Sequence, residues 1–118
     1  MSSENKTDEQ KCESILELPE IRFVGFLDYM GNLIVGDFKP GLSPLKDESE
    51  RKKMFVEAVL RIRTRQDFDA NLGPVEYAAA RRKNVVTITI PFEDKVLFVS
   101  AESNVDIDKI SRKILDLL

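Results

Sequence analysis

The segment VVTITIPF, residues 85–92, constrains the fold most, because large apolar and hydroxyl side chains alternate along it. The apolar side chains of one face are Val86, Ile88, Ile90 and Phe92. Period-two alternation of β-branched residues is typical of a strand with one deeply buried face. After the turn residues Glu93, Asp94 and Lys95, Val96–Ala101 is a second β-rich run. The two runs predict an antiparallel hairpin that forms part of a meander.

Three further runs predict strands. Ile21–Asp28 and Asn32–Phe38 are separated by a turn in which Gly31 or Asn32 supplies a positive φ, so they predict a second hairpin. Apolar residues on both faces of each run predict strands covered on both sides. Val75–Arg82 is a further strand candidate, built from unusually small residues.

Three helices complete the pattern. Thr7 and Gln10 form a capping box before a helix over 8–18. Asp47 caps a second helix that runs to Arg65 or Gln66, and Ser103 or Asn104 caps a third. The apolar stripe of the third helix is Ile107, Ile110, Ile114 and Leu117. The order α-β-β-α-β-β-β-α predicts an α+β domain over 8–118 with one five-stranded, mostly antiparallel sheet, after a flexible N-terminus at 1–7.

The second helix has two apolar stripes, and only one of them is explained by the sheet. The sheet-facing stripe is Phe55, Ala58, Val59 and Ile62. Val56 and Leu60 lie on another side of the helix, and their burial needs a second partner.

The composition excludes several chemistries. The chain has no histidine and a single cysteine, Cys12, which excludes histidine-based triads, disulfides within the chain and cysteine-rich or histidine-containing metal sites. The glycine spacing fits neither a dinucleotide fingerprint nor a P-loop. We therefore expect no enzymatic activity, no catalytic residues, no cofactor and no metal. A long apolar run and a signal peptide are both absent, so we expect a cytoplasmic protein without membrane contacts.

Positive charge is concentrated between residues 61 and 83, where six basic residues face three acidic ones in a chain of net charge −3. Arg61 and Arg65 lie one helical turn apart and can reach a single anionic group. The predicted site for an anion or an acidic partner comprises Arg61, Arg65, Arg81, Arg82 and Lys83. Ordinary solvated ends of a helix and a strand are the alternative.

The phrase LPEIRFVGFLDYMGNLIVGDF, together with the order of elements, resembles the Roadblock/LC7 family of profilin-like domains. The matching residues are Gly25, Asp28, Gly31, Leu33 and Ile34. The long connection KPGLSPLK and the basic end of the second helix depart from the family pattern, which favours a divergent, archaeal relative.

The resemblance implies a non-catalytic homodimer in which the third strand pairs with its copy and the central helices pack across a twofold axis. The implied interface residues are Val56, Leu60, Val75, Tyr77 and Ala79. The family also implies a scaffold or regulator for a small GTPase or a signalling complex.

Two other functions stay open from the sequence. The first is a small-molecule sensor of the PAS-like kind, with a pocket lined by aromatic residues: Phe23, Phe26, Phe55 and Phe98. The second is a weak nucleic-acid binder that uses the basic segment, which is disfavoured because no aromatic residues are interleaved with the basic ones.

Overall fold

The computed structural model describes residues 6–41 and 47–118. Four helices and five strands follow one another in this part of the chain. They are α1 (Asp8–Leu16), β1 (Ile21–Leu27), β2 (Leu33–Phe38), α2 (Glu48–Gln66), α3 (Asp69–Leu72), β3 (Ala78–Arg81), β4 (Val86–Phe92), β5 (Lys95–Ala101) and α4 (Ile107–Leu117). Part of the predicted flexible N-terminus, residues 1–5, and the middle of the KPGLSPLK connection, residues 42–46, lie outside the described residues.

The five strands form one sheet in the order β2-β1-β5-β4-β3, and every neighbouring pair is antiparallel. The predicted α+β class, strand count and element order are confirmed. The two predicted hairpins are also present, and β1 and β5 bring them together at the centre of the sheet. This arrangement leaves β2 and β3 as the two edges.

Helices cover the two faces of the sheet unequally. On one face α1 and α4 enclose the larger core, which includes Ile15, Val24, Ile88, Val99 and Ile114. On the other face α2 packs on the sheet through Phe55, Val59 and Ile62, against Phe23 and Phe98. The sheet-facing stripe predicted for α2 is therefore confirmed, and the face beneath this helix is the less completely covered one.

Helix caps explain where the helices begin. Thr7 accepts a hydrogen bond from the backbone N–H of Gln10, and the Gln10 side chain accepts one from the N–H of Thr7, as the capping box predicts. Asp47 caps α2. Asp106 caps α4, so the predicted cap at Ser103 or Asn104 is wrong. The apolar stripe of α4 is nevertheless as predicted, with Ile110 and Ile114 buried.

Three other expectations differ from the structure. β2 is not covered on both sides: as an edge strand it leaves the side chains of Leu33 and Ile34 44% and 53% exposed. The strand predicted over Val75–Arg82 is shorter and begins at Ala78. The stretch after α2, expected as a loop, contains the single helical turn α3.

Candidate interaction surface on α2 and β3

The edge strand β3 is the first part of the candidate surface. It pairs with β4 from Ala78 opposite Thr89 to Arg81 opposite Val86, without a bulge. In the described part of the chain β4 is its only neighbour in the sheet. The outer side of β3 therefore presents backbone N–H and C=O groups that can pair with another strand.

Side chains on the two faces of β3 have different roles. Ala78 packs against the core under α2. On the opposite face, the Arg81 guanidinium donates hydrogen bonds to the backbone carbonyls of Ser103 and Val105, with 2.6 Å to the latter. These bonds hold β3 to the loop that leads into α4. Three consecutive alanines, Ala78–Ala80, leave no large side chain to obstruct a strand that approaches the edge.

The two predicted interface residues that precede β3 lie outside the strand. Val75 packs against the core under α2, and Tyr77 packs against the core on the opposite face. The Tyr77 hydroxyl donates a 2.5 Å hydrogen bond to the Asp108 carboxylate of α4. This bond raises the pKa of Tyr77, because the neighbouring carboxylate disfavours the phenolate. Both residues thus anchor the segment that leads into the edge.

The outward side of α2 is the second part of the surface. Leu60 is 61% exposed, whereas Phe55, Val59 and Ile62 on the sheet-facing side are buried. Val56 is half-buried and lies beside Gly31 in the turn between β1 and β2. The second apolar stripe therefore divides: Val56 has a partner within the chain, and Leu60 is left on the surface.

A shallow groove of about 100 Å³ separates α2 from β3, and three of the five predicted anion-binding residues line it. These are Arg61, Arg65 and Arg82. Arg61 also forms an exposed 3.2 Å ion pair with Glu57, one turn earlier on the helix. Arg81 is turned towards the α4 side by its bonds to carbonyl groups, and Lys83 lies in the turn before β4. The structure therefore does not bring Arg81 or Lys83 into this basic groove.

The phenylalanines predicted for a ligand pocket also divide between the two faces. Phe23, Phe55 and Phe98 meet under α2, with ring centroids of Phe55 and Phe98 5.3 Å apart. Phe26 lies on the opposite face against Phe92, so its inclusion was wrong. Phe38, which the sequence reasoning missed, pairs with Phe23 across β1 and β2. Strand alternation could have given the position of Phe26, since three positions separate it from Phe23. The pairing of Phe38 depends on the register of β2 against β1.

Two further observations concern chemistry and membranes. Among the described residues, no group of three histidine, cysteine or acidic side chains is placed to hold a metal ion. None of the helices within 6–41 and 47–118 combines the length and the apolar character that a membrane crossing requires.

The fold and its open edge place the molecule in a known structural class. A Roadblock/LC7 domain from Streptomyces avermitilis superposes with a TM-score of 0.69 at 11% identity, over 92% of this chain and 89% of that chain. The gliding protein MglB from Thermus thermophilus gives a TM-score of 0.64 at 10% identity, over 95% and 91% of the two chains. A structure described as MglB with tetrameric arrangement gives 0.64 at 9% identity, over 95% and 90%. The protein has the Roadblock/LC7 fold.

Within that class its sequence family is also defined. Residues 2–118 match the profile of a family of unknown function, DUF6659, and the chain belongs to this family. No curated protein matches the chain in sequence.

Proposed function

We propose that this protein is a non-catalytic, cytoplasmic interaction module that forms a homodimer through β3 and α2. In the proposed dimer, β3 of one protomer pairs antiparallel with β3 of its partner, and the sides of the two α2 helices that carry Leu60 face each other. The observations that carry the proposal are the outer side of β3, with which no described strand pairs, and the exposed Leu60 on the outward side of α2. Pairing along a twofold axis would satisfy the edge and cover the apolar side chain together.

The two edges of the sheet are not equally suited to pairing. In β2 the register against β1 shifts between Phe26 and Leu27, and a bulge twists an edge away from a flat approach. β3 keeps a regular register with β4 over all four of its residues, and three of these are alanines. The regular, small-residue edge is the better template for a second strand.

The proposal also includes a binding partner other than a second copy of the chain. The Roadblock resemblance favours a scaffold or regulatory role towards a small GTPase or a signalling complex. The basic groove of Arg61, Arg65 and Arg82 lies between α2 and β3 and supplies positive charge for an acidic partner surface. MglB, one of the structurally similar proteins, is known in a tetrameric arrangement, and assembly through copies of the same domain is in keeping with our proposal.

Light scattering of the purified protein tests the homodimer. We expect twice the monomer mass of 13.5 kDa at micromolar concentration. The substitution Leu60→Asp should yield a folded monomer, because it places a charge in the proposed interface but removes no buried side chain of the protomer. The matched control, Ile34→Asp, alters a 53% exposed side chain on the opposite edge and should leave the dimer intact.

A wild-type monomer, or dissociation by Ile34→Asp and not by Leu60→Asp, would contradict the proposed interface. The GTPase part is tested separately with purified small GTPases loaded with GDP or a non-hydrolysable GTP analogue. Binding that weakens when Arg61 and Arg65 become Glu would support it. Failure of every GTPase to bind a verified homodimer would refute that part alone.

A further inference from the structure

A second recess lies beneath the first half of α2 and adjoins the α2–β3 groove. This α2–sheet cleft has a volume of about 340 Å³ and is lined by α2, β1, β2, β4 and β5. Small-molecule sites commonly have volumes of about 300–1,000 Å³, with apolar walls and a few polar groups. The cleft is thus large enough for a small organic molecule.

The walls of the cleft are aromatic. Four phenylalanines line it: Phe23, Phe38, Phe55 and Phe98. Neighbouring rings are tilted or stacked against one another, with centroids 4.8 Å apart for Phe23 and Phe38 and 5.9 Å for Phe23 and Phe55. The half-buried hydroxyl-bearing residues Thr87 and Ser100 complete the lining from β4 and β5. Such a surface favours a ligand with an apolar, flat ring system or chain.

The rim of the cleft is positively charged. Four of its residues are basic, namely Arg22, Arg51, Lys53 and Arg82, and one is acidic, Glu57. Arg22 is compensated by a 3.2 Å ion pair with Glu102, and Glu57 by its ion pair with Arg61. Arg51 lies over the Phe38 ring, 5.6 Å from its centroid.

Two of these cations have no compensating charge in contact among the described residues. Within residues 6–41 and 47–118, neither Lys53 nor Arg82 forms an ion pair. An apolar wall with uncompensated positive charge at its rim is complementary to a molecule that has an apolar body and an anionic head.

We infer that the α2–sheet cleft binds a small amphipathic carboxylate, with an aromatic or acyl body on the phenylalanines and its anionic head at Lys53 and Arg82. The cleft is formed within one protomer, and it shares Arg82 with the basic groove between α2 and β3. It would give the interaction module a ligand that acts on α2, the same helix that carries Leu60.

NMR titration of the isotope-labelled wild-type protein tests the inference, with naphthoate as the probe. We expect naphthoate to shift amide resonances of β1, β4, β5 and the first half of α2. Naphthalenemethanol, which has the same body without charge, should bind about tenfold more weakly, as expected when a charge-assisted contact is lost. Acetate, which has only the head group, should leave these resonances unchanged.

Three variants separate the contributions. Joint substitution of Lys53→Gln and Arg82→Gln should weaken naphthoate binding about tenfold, because both changes remove only surface charge at the rim. The matched control Lys83→Gln removes a charge outside the cleft and should not change the affinity. Ser100→Phe should fill the cleft and abolish binding; thermal unfolding of this variant verifies that it is folded.

Equal binding of naphthoate and naphthalenemethanol would overturn the assignment of the anionic head. Equal losses in the Lys83→Gln control and the Lys53→Gln, Arg82→Gln protein would overturn the assigned location. Absence of binding by the folded wild-type protein would overturn the site itself. Light scattering of the same samples reports the oligomeric state, so that failure of the dimer and failure of the ligand site are read separately.

Discussion

Gly31 lies directly against Val56, so that the turn between β1 and β2 is packed on α2. A Cβ atom at Gly31 would fall 2.7 Å from Val56 Cγ2 and 3.0 Å from the Val56 backbone nitrogen and Cα. Gly31 also has a φ of +83°, in the region that favours glycine. Nearby, the Lys52 ammonium donates a hydrogen bond to the Asn32 side chain. The first hairpin therefore positions α2, and it occupies the part of the second apolar stripe nearest the start of this helix.

Replacement of Gly31 by Ala tests this packing. We expect Gly31→Ala to lower the free energy of unfolding by about 2–4 kcal/mol, because it combines left-handed backbone strain with overpacking against a helix backbone. Gly73→Ala is the matched control: its φ is +88°, but nothing lies within 4 Å of the added carbon. The control should lose stability only through backbone strain, on the order of 1–3 kcal/mol, without the cost of overpacking. Denaturant unfolding at fixed protein concentration measures both, and equal losses would contradict the packing of the turn on α2.

Local patterns predicted the elements well because each depends on nearby residues. The alternation of Val86, Ile88 and Ile90 places these residues on the buried face of β4, and the Thr7–Gln10 box places the start of α1. What the sequence could not give was which strand lies beside which. Leu33 and Ile34 have the side chains of a covered strand, but their exposure depends on the position of β2 at an edge.

Several side chains of the candidate surface also could not be placed from the sequence alone. Helical periodicity places Val56 and Leu60 on one stripe of α2. In the structure Val56 packs against Gly31, whereas Leu60 is exposed. Arg81 and Arg82 are adjacent in sequence, but Arg81 is the last residue of β3 and Arg82 follows it, and their side chains lie in different parts of the molecule. The Arg81 guanidinium donates hydrogen bonds to backbone carbonyls in the loop before α4. Arg82 instead lines the basic groove and the α2–sheet cleft. A cluster of charges in sequence is therefore not a cluster in space.

The carboxylate of Asp28 organises the same turn and gives a pH-dependent prediction. Asp28 accepts backbone N–H bonds from Asn32 and Met30, both 2.9 Å, and a 3.2 Å bond from the Asn32 side chain. The Asn32 backbone N–H is the main cause of a lowered pKa for Asp28, assisted by the Asn32 side chain, the Met30 N–H and the charge of Lys52. The ionised form is thus favoured in the folded state.

The stabilisation that the ionised Asp28 carboxylate gives the folded state is therefore complete above the pKa of Asp28 in the unfolded chain. It is lost as the pH falls through the lowered pKa of the folded state. A carboxyl-detected NMR titration should show the Asp28 midpoint below that of an unstructured aspartate. Asn32→Ala should raise this midpoint only in part, because the backbone donor remains. A complete return to the ordinary value would show that the side chain of Asn32, and not its backbone, holds the carboxylate.

Pairing of β3 with its copy can be detected by cross-linking through a cysteine at position 79, because the native Cys12 is buried and unreactive. Cys12 is 5% exposed, and burial, reinforced by the charges of Asp8, Glu13 and Glu9, raises the pKa of its thiol to about 11. A protein with Ala79→Cys should form covalent dimers with a short bismaleimide. Antiparallel pairing of two four-residue strands keeps equivalent positions within ~10 Å of each other, at about 3.3 Å per residue.

Three controls make the result specific to the proposed interface. The wild-type protein should remain uncross-linked, which verifies that Cys12 does not react in the folded state. Ile34→Cys, on the edge strand β2, should not form covalent dimers at the same protein concentration. Addition of Leu60→Asp to the Ala79→Cys protein should abolish its cross-linking, because both positions belong to the proposed interface. Cross-linking through Ile34→Cys and not through Ala79→Cys would instead assign the pairing edge to β2.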